Sequence, residues 1–98
     1  MKDNIEKFLA IKEEVLDNLA AIEMILIDCK EKGLSDPDEL LYNEIQMLSD
    51  TTREVNTSEE LENVIFNGKN MEKKFDVWLS EKGLDTKELT WPEIPSSL

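Results

Sequence analysis

The side chains with the most potential for chemistry in this sequence are carboxylates. Glu13, Glu14 and Asp17 fall close together near the start of the chain, and Glu72 and Asp76 fall near its end. Carboxylates that face each other inside a helical bundle can bind Mg²⁺ or a pair of metal ions, as in a Mg²⁺- or Mn²⁺-dependent phosphohydrolase. The helical periodicity described below predicts outward positions for four of these residues and a border position for Glu72. We therefore expect no metal site.

Other catalytic side chains are scarce. The sequence has no histidine, which removes the commonest general base, any Ser–His or Cys–His nucleophile and, with a single cysteine, tetrahedral zinc sites. That cysteine, Cys29, falls on a predicted buried stripe, where a thiol behaves as a small hydrophobic group. It cannot form an intramolecular disulfide. We expect no enzyme activity, no catalytic residues and no cofactor.

The elements that position these residues are predicted to be helices. The 98 residues include only three glycines and three prolines, which favours a single domain, residues 1–98, built from a few long elements. Asp3 and Glu6 form a capping box, and a helix over about residues 4–32 follows. Its apolar stripe recurs in steps of three and four along Ile5, Phe8, Lys12, Val15, Leu19, Ile22, Leu26 and Cys29, widened by Leu9, Ile11, Leu16 and Ile25.

Two further helices are predicted. Asp36 as a cap and Pro37 at the first helical position start a helix over residues 37–54, and the predicted apolar stripe there is Leu41, Ile45, Leu48, Thr52 and Val55. Thr57 caps a third helix over residues 58–82, whose apolar stripe keeps one phase on both sides of Asn67-Gly68 and consists of Leu61, Val64, Gly68, Met71, Phe75, Trp78 and Lys82. That dipeptide often forms a turn, but the unchanged phase favours one continuous helix. The fold class is therefore all-α, an antiparallel three-helix bundle.

Residues 84–98 are predicted to form an extended tail, because prolines at 92 and 95 disfavour helix before them. We expect the tail to pack back on the bundle, although a free proline-flanked peptide that binds another protein is the alternative. Met24 and Ile27 exceed the apolar surface that a three-helix bundle buries. The tail, through Trp91 and Ile94, a second copy of the chain or a partner protein is expected to cover them.

One residue of the first stripe is charged. Lys12 is interpreted either as a side chain that extends along the apolar surface to reach solvent or as a device that fixes helix register or partner choice.

The charge of the chain is uneven. Of the formal net charge of −12, residues 34–65 hold −8, with Arg53 as their only cation. This predicts a surface that binds a basic protein partner, and the carboxylates proposed to contact it are Asp36, Asp38, Glu39, Glu44, Asp50, Glu54, Glu59, Glu60 and Glu62. The same charge argues against direct binding of nucleic acid or an anionic membrane.

The sequence thus favours a non-enzymatic protein-interaction module, a small acidic regulator or inhibitor of a larger basic protein. Charge mimicry of nucleic acid is one version of this function. A structural homo-oligomer, in the simplest case a homodimer, is the alternative. No stretch is apolar over enough residues to span a bilayer, and the first residues lack the apolar core of a signal peptide, so a cytoplasmic location is expected.

Overall fold

The structure of the chain, a computed structural model, describes residues 2–33, 39–84 and 88–95, and the side chains of residues 2, 3, 39 and 40 are not described. The described residues form three α-helices: α1, Lys2–Glu31; α2, Glu39–Arg53; and α3, Ser58–Glu81. Each helix packs against the other two. The prediction of an all-α three-helix bundle is confirmed.

The buried residues follow the predicted stripes closely. Both long helices and the short α2 contribute large apolar side chains to one core, because residues three and four apart share a helix face. The most deeply buried of these side chains are Phe75, Leu19, Ile22, Ile45, Leu61, Leu79, Val15 and Val55. Cys29 is 6% exposed and belongs to the same core.

Helix starts differ in part from the prediction. α1 is already helical at Lys2, so Asp3 lies within the helix and the prediction that it precedes the helix as a cap is wrong. The difference is small, because helix ends fray and their boundaries vary by one or two residues. Asp36 and Pro37 lie outside the described residues. Thr57 is confirmed as the N-cap of α3, with extended backbone angles and a side chain that accepts a hydrogen bond from the Glu60 N–H at 3.2 Å.

The helices are unequal in length, and this exposes part of the predicted apolar stripe. Lys12 contacts the α2–α3 connection at Arg53 and Val55, so about two turns of α1 lie before that level. Ile5 is 63% exposed and Leu9 is 54% exposed. The expectation that Ile5 belongs to the buried stripe is wrong, because α2 is too short to cover the start of α1.

The end of α3 turns the chain back along the bundle. Gly83 has φ 73°, a left-handed conformation that glycine adopts without strain. The Gly83 N–H donates to the Ser80 carbonyl at 3.1 Å, and the Leu84 N–H donates to the Leu79 carbonyl at 2.9 Å. This pair of bonds ends the helix and directs Leu84 against the core. The part of the tail that the structure describes beyond Leu84, residues 88–95, has no helical structure and lies over α1 and α3.

Candidate interaction surfaces

Five exposed carboxylates gather at one end of the bundle, around the α2–α3 connection. They come from the last turns of α2, the connection itself and the first two turns of α3. We call this surface the acidic end, and it consists of Asp50, Glu54, Glu59, Glu60 and Glu62.

Two members of the acidic end are partly neutralised or held by neighbours. Asp50 accepts a hydrogen bond from Arg53 at 2.9 Å, an exposed ion pair one turn apart. The Glu60 carboxylate accepts a hydrogen bond from the Thr57 hydroxyl at 3.1 Å. Within the described residues, no ion pair involves Glu54, Glu59 or Glu62. These three carboxylates are therefore the part of the acidic end that is free to meet an external cation.

The connection beneath the acidic end is braced by Lys12. Its Nζ donates to the carbonyl oxygens of Arg53 at 2.6 Å and Val55 at 3.2 Å. Carbonyl groups at the C-terminal end of a helix lack partners within the helix and carry partial negative charge, so a lysine there is stabilising. The Lys12 ammonium therefore bonds the C-terminal end of α2 and the connection, and joins both to α1.

The remaining residues predicted to bind a partner lie elsewhere. Glu44 is in the middle of α2 and faces α3, where its carboxylate lies 3.4 Å from the Lys74 ammonium. Asp36, Asp38 and the Glu39 side chain lie outside the described part of the structure. The acidic end thus contains five of the nine residues predicted to contact a partner.

The carboxylates considered as metal ligands do not form a group of three, and Asp76, predicted to face outward, is half-buried with its Oδ1 buried and without a hydrogen-bond partner among the described residues. Glu13, Glu14 and Asp17 are exposed on α1. Glu72 is half-buried, and its Oε2 accepts a hydrogen bond from the Leu89 N–H of the tail at 2.9 Å. Among the described residues, no group of three or more metal-ligating side chains forms a site.

The tail packs in the groove between α1 and α3. Leu89, Trp91 and Ile94 are partly buried against the core. Asn18 of α1 donates from its Nδ2 to the Thr90 carbonyl at 2.9 Å, so the tail is bonded to α1 through Asn18 and to α3 through Glu72. The indole of Trp91 lies directly over Gly68 of α3.

The uncovered apolar surface is spread over all three helices. Met24 is 70% exposed and Ile27 is 41% exposed, so neither is covered by the described part of the chain. Phe66 and Val77 of α3, which were not predicted to be exposed apolar residues, are 65% and 59% exposed. Their signal was available, because both fall off the phase of the α3 stripe. Met47 of α2 is also exposed, beside a shallow groove of about 670 Å³ between α2 and α3 that Met71 and Lys74 also line.

An exposed ion pair lies at the far end of α1. The Asp28 carboxylate is 3.0 Å from the Lys32 ammonium. The hydrogen bond and charge of Asp28 raise the pKa of Lys32 above its ordinary value. Both side chains are exposed, so this pair contributes little to stability.

Comparisons of this chain with protein-family models, with curated proteins and with solved structures gave no match. Nor does any helix within the described ranges have the length and apolar character needed to cross a membrane.

Proposed function

We propose that this chain is a non-enzymatic protein-interaction module, a small regulator or inhibitor that binds a larger basic protein through its acidic end. The observation that supports this most directly is the placement of Glu54, Glu59 and Glu62. These exposed carboxylates lie on adjoining segments, and no described cation pairs with them. A basic partner would supply the missing counter-charges.

The scaffold under the acidic end is well held, and this favours binding. Thr57 fixes the first turn of α3, and Lys12 ties the connection to α1. Val55 in that connection is only 2% exposed. A preorganised surface loses little conformational entropy on association, so more of its electrostatic attraction appears as affinity.

Binding through such a surface has a characteristic dependence on salt. Exposed charges more than about 8 Å apart are largely screened at physiological ionic strength. Electrostatic complementarity also raises the association rate more than it slows dissociation. We therefore expect the partner to associate fast at low salt and much more slowly as salt is added.

The catalytic alternatives have less support. The sequence has no histidine, and within the described residues no group of three or more metal-ligating side chains forms a site. The buried thiol of Cys29 lies in the core, away from the basic, partly exposed setting that activates a thiol. A cytoplasmic location is also part of the proposal and fits a lone cysteine that remains reduced.

A capture experiment with matched variants tests the proposal. Three immobilised proteins are compared for the partner that each one captures. They are the wild type, the acidic-end variant Glu54→Gln/Glu59→Gln/Glu62→Gln and a control, Glu13→Gln/Glu14→Gln/Asp17→Asn, which removes the same charge from exposed sites on α1. Asp50 and Glu60 are left unchanged because their bonds to Arg53 and Thr57 support the local structure.

We expect one basic protein to bind the wild type and the α1 control, and to be lost from the acidic-end variant and at high salt. Equal capture by both variants, or capture that is insensitive to salt, would contradict the proposal. Charge mimicry is tested in the same experiment by adding double-stranded DNA or RNA. Competition by the nucleic acid supports mimicry, and unchanged capture argues for a basic surface that does not bind nucleic acid.

Self-association is a second candidate, because apolar side chains near both ends of α1 are exposed. Ile5, Leu9 and Ile27 lie on one side of the helix, because their spacings are close to multiples of the helical turn of about 3.6 residues. A homodimer through this surface would bury them. Sedimentation analysis of the wild type and of Leu9→Glu distinguishes it: a dimer that the substitution dissociates supports this function, and a monomer for both excludes it.

A further inference from the structure

The indole of Trp91 packs directly against Gly68, and we call the surface at Gly68 the seat of the indole. Gly68 is buried on α3, and a Cβ atom built there would lie 2.5 Å from Cη2 and 2.6 Å from Cζ3 of Trp91. Carbon atoms that are not bonded do not approach so closely, since their optimal separation is about 3.5–4.0 Å. The ring therefore fits only because this position has no side chain. A glycine in the interior of a helix otherwise weakens it, so its presence here is explained by the tail.

The groove recognises the backbone of the tail beside the indole. The Leu89 N–H donates to Glu72, and the Thr90 carbonyl accepts from Asn18. In both bonds the tail contributes main-chain groups and the bundle contributes side chains. Main-chain bonds combined with a side-chain pocket are the usual means by which a protein binds an extended peptide. Pro92, which has no N–H, follows the indole without leaving a donor to satisfy.

The tail packs against the core through partly buried residues and contributes none of the fully buried ones. Trp91 and Ile94 are only partly buried, and the Trp91 Nε1 is buried without an acceptor in the described structure. The core itself is formed by α1, α2 and α3 and includes no tail residue among its fully buried members. The tail thus behaves as a ligand that is covalently joined to its own receptor.

We infer that the α1–α3 groove is a peptide-binding site for an extended segment with a tryptophan over Gly68, and that the tail of a second copy of this chain can occupy it. Within one molecule the tail fills its own groove. Between molecules the same contacts form, because the second copy carries the identical segment. This inference concerns a different face from the acidic end and does not depend on the proposed function.

The competition between the two arrangements is set by concentration. A tethered segment has an effective concentration in the millimolar range at its own site. Exchange between wild-type copies is therefore expected only in concentrated protein. Breaking the intramolecular contact in two different ways removes this competition.

Two full-length variants carry complementary defects. Gly68→Ala keeps Trp91 but blocks the seat with a methyl group, and Trp91→Ala keeps an open seat but has no indole to fill it. We expect each variant alone to sediment as a monomer of 11.3 kDa at concentrations up to about 1 mM. An equimolar mixture is expected to form a species of twice that mass, in which the Trp91→Ala copy receives the tail of the Gly68→Ala copy.

The matched control replaces Trp91→Ala in the mixture by the double variant Gly68→Ala/Trp91→Ala, which has a blocked seat and must not associate. A mixture of the single variants that stays monomeric, with both folded by circular dichroism, would overturn the inference. Association of either variant alone to the same extent would also overturn it, since another surface would be responsible.

A second measurement covers the case in which Gly68→Ala does not fold. A fluorescein-labelled peptide of residues 88–95 is titrated with Trp91→Ala protein and followed by anisotropy. Saturable binding at least tenfold tighter than to wild type, whose groove is occupied, is expected. Equal binding of the peptide to both proteins, or no binding to either, would refute the site.

Discussion

The substitution Gly68→Ala tests the packing of the tail through two opposing energies. Alanine in a helix interior is about 1 kcal/mol more favourable than glycine. Against this, the new methyl group displaces the indole of Trp91. Burying a large apolar side chain completely stabilises a protein by about 1.5–3 kcal/mol, and Trp91 is partly buried, so about 1–2 kcal/mol is lost with the indole.

The displacement also affects the two hydrogen bonds of the tail. Those of Leu89 to Glu72 and Thr90 to Asn18 contribute about 1 kcal/mol each when formed. The total loss is thus about 3–4 kcal/mol if the tail leaves the groove. Net of the gain in helix propensity, Gly68→Ala is expected to lower the free energy of unfolding by about 2–3 kcal/mol.

The sign of the effect reverses once Trp91 is absent. In a Trp91→Ala background the methyl group meets no indole, so Gly68→Ala is expected to raise the free energy of unfolding by about 1 kcal/mol. The coupling between the two positions is then about 3–4 kcal/mol, large enough to indicate direct contact. Urea unfolding followed by circular dichroism measures all four proteins. Stabilisation by Gly68→Ala in both backgrounds would refute the packing of Trp91 over this residue.

Three smaller predictions concern the scaffold and the metal question. Lys12→Met is expected to lower the free energy of unfolding by about 1–2 kcal/mol, because the carbonyls of Arg53 and Val55 lose a charged donor; Lys7→Met, at an exposed position, is the control and should change it by under about 0.5 kcal/mol. Thr57→Ala is expected to cost about 1 kcal/mol through loss of the α3 cap, whereas Thr57→Ser should keep most of it; urea unfolding measures both, and equal losses would contradict the capping role. Millimolar Mg²⁺ or Mn²⁺ is expected to leave the thermal midpoint unchanged beyond a general salt effect matched with Ca²⁺, and a specific rise would reveal a site.

The helices were accessible to sequence reasoning because the apolar stripes encode them locally. The buried positions Leu41, Ile45 and Leu48 of α2 fall on the predicted stripe, as does Phe75 of α3. Residues whose environment depends on how the helices are aligned were not accessible in this way. The exposure of Ile5 follows from the short length of α2, which no pattern within α1 contains.

The role of Gly68 illustrates the same limit. The unchanged phase of the apolar stripe across Gly68 predicted a continuous helix, and α3 is continuous. The reason for a glycine at this position is its contact with the indole of Trp91, a residue far along the chain. Lys12 is similar, since its partners are carbonyl groups of the α2–α3 connection. Interactions that join distant segments through backbone atoms leave almost no trace in the local sequence pattern.

The acidic residues of the second and third helices were predicted as one run of charge. The structure separates those that form ion pairs from those that do not. Glu44 faces Lys74, and Asp50 faces Arg53, whereas Glu54, Glu59 and Glu62 have no ion pair within the described residues. Counting charge along the sequence could not make this division, because pairing across α2 and α3 depends on their packing.

The most direct measurement of the proposed function is a binding footprint. The captured basic partner is titrated into the ¹⁵N-labelled chain, and amide chemical shifts are followed at low and at physiological salt. Binding through the acidic end predicts shifts concentrated in residues 50–62, weakened by salt and abolished by Glu54→Gln/Glu59→Gln/Glu62→Gln. Shifts that instead follow Ile5, Leu9 and Ile27 on α1, and persist in that variant, would contradict it.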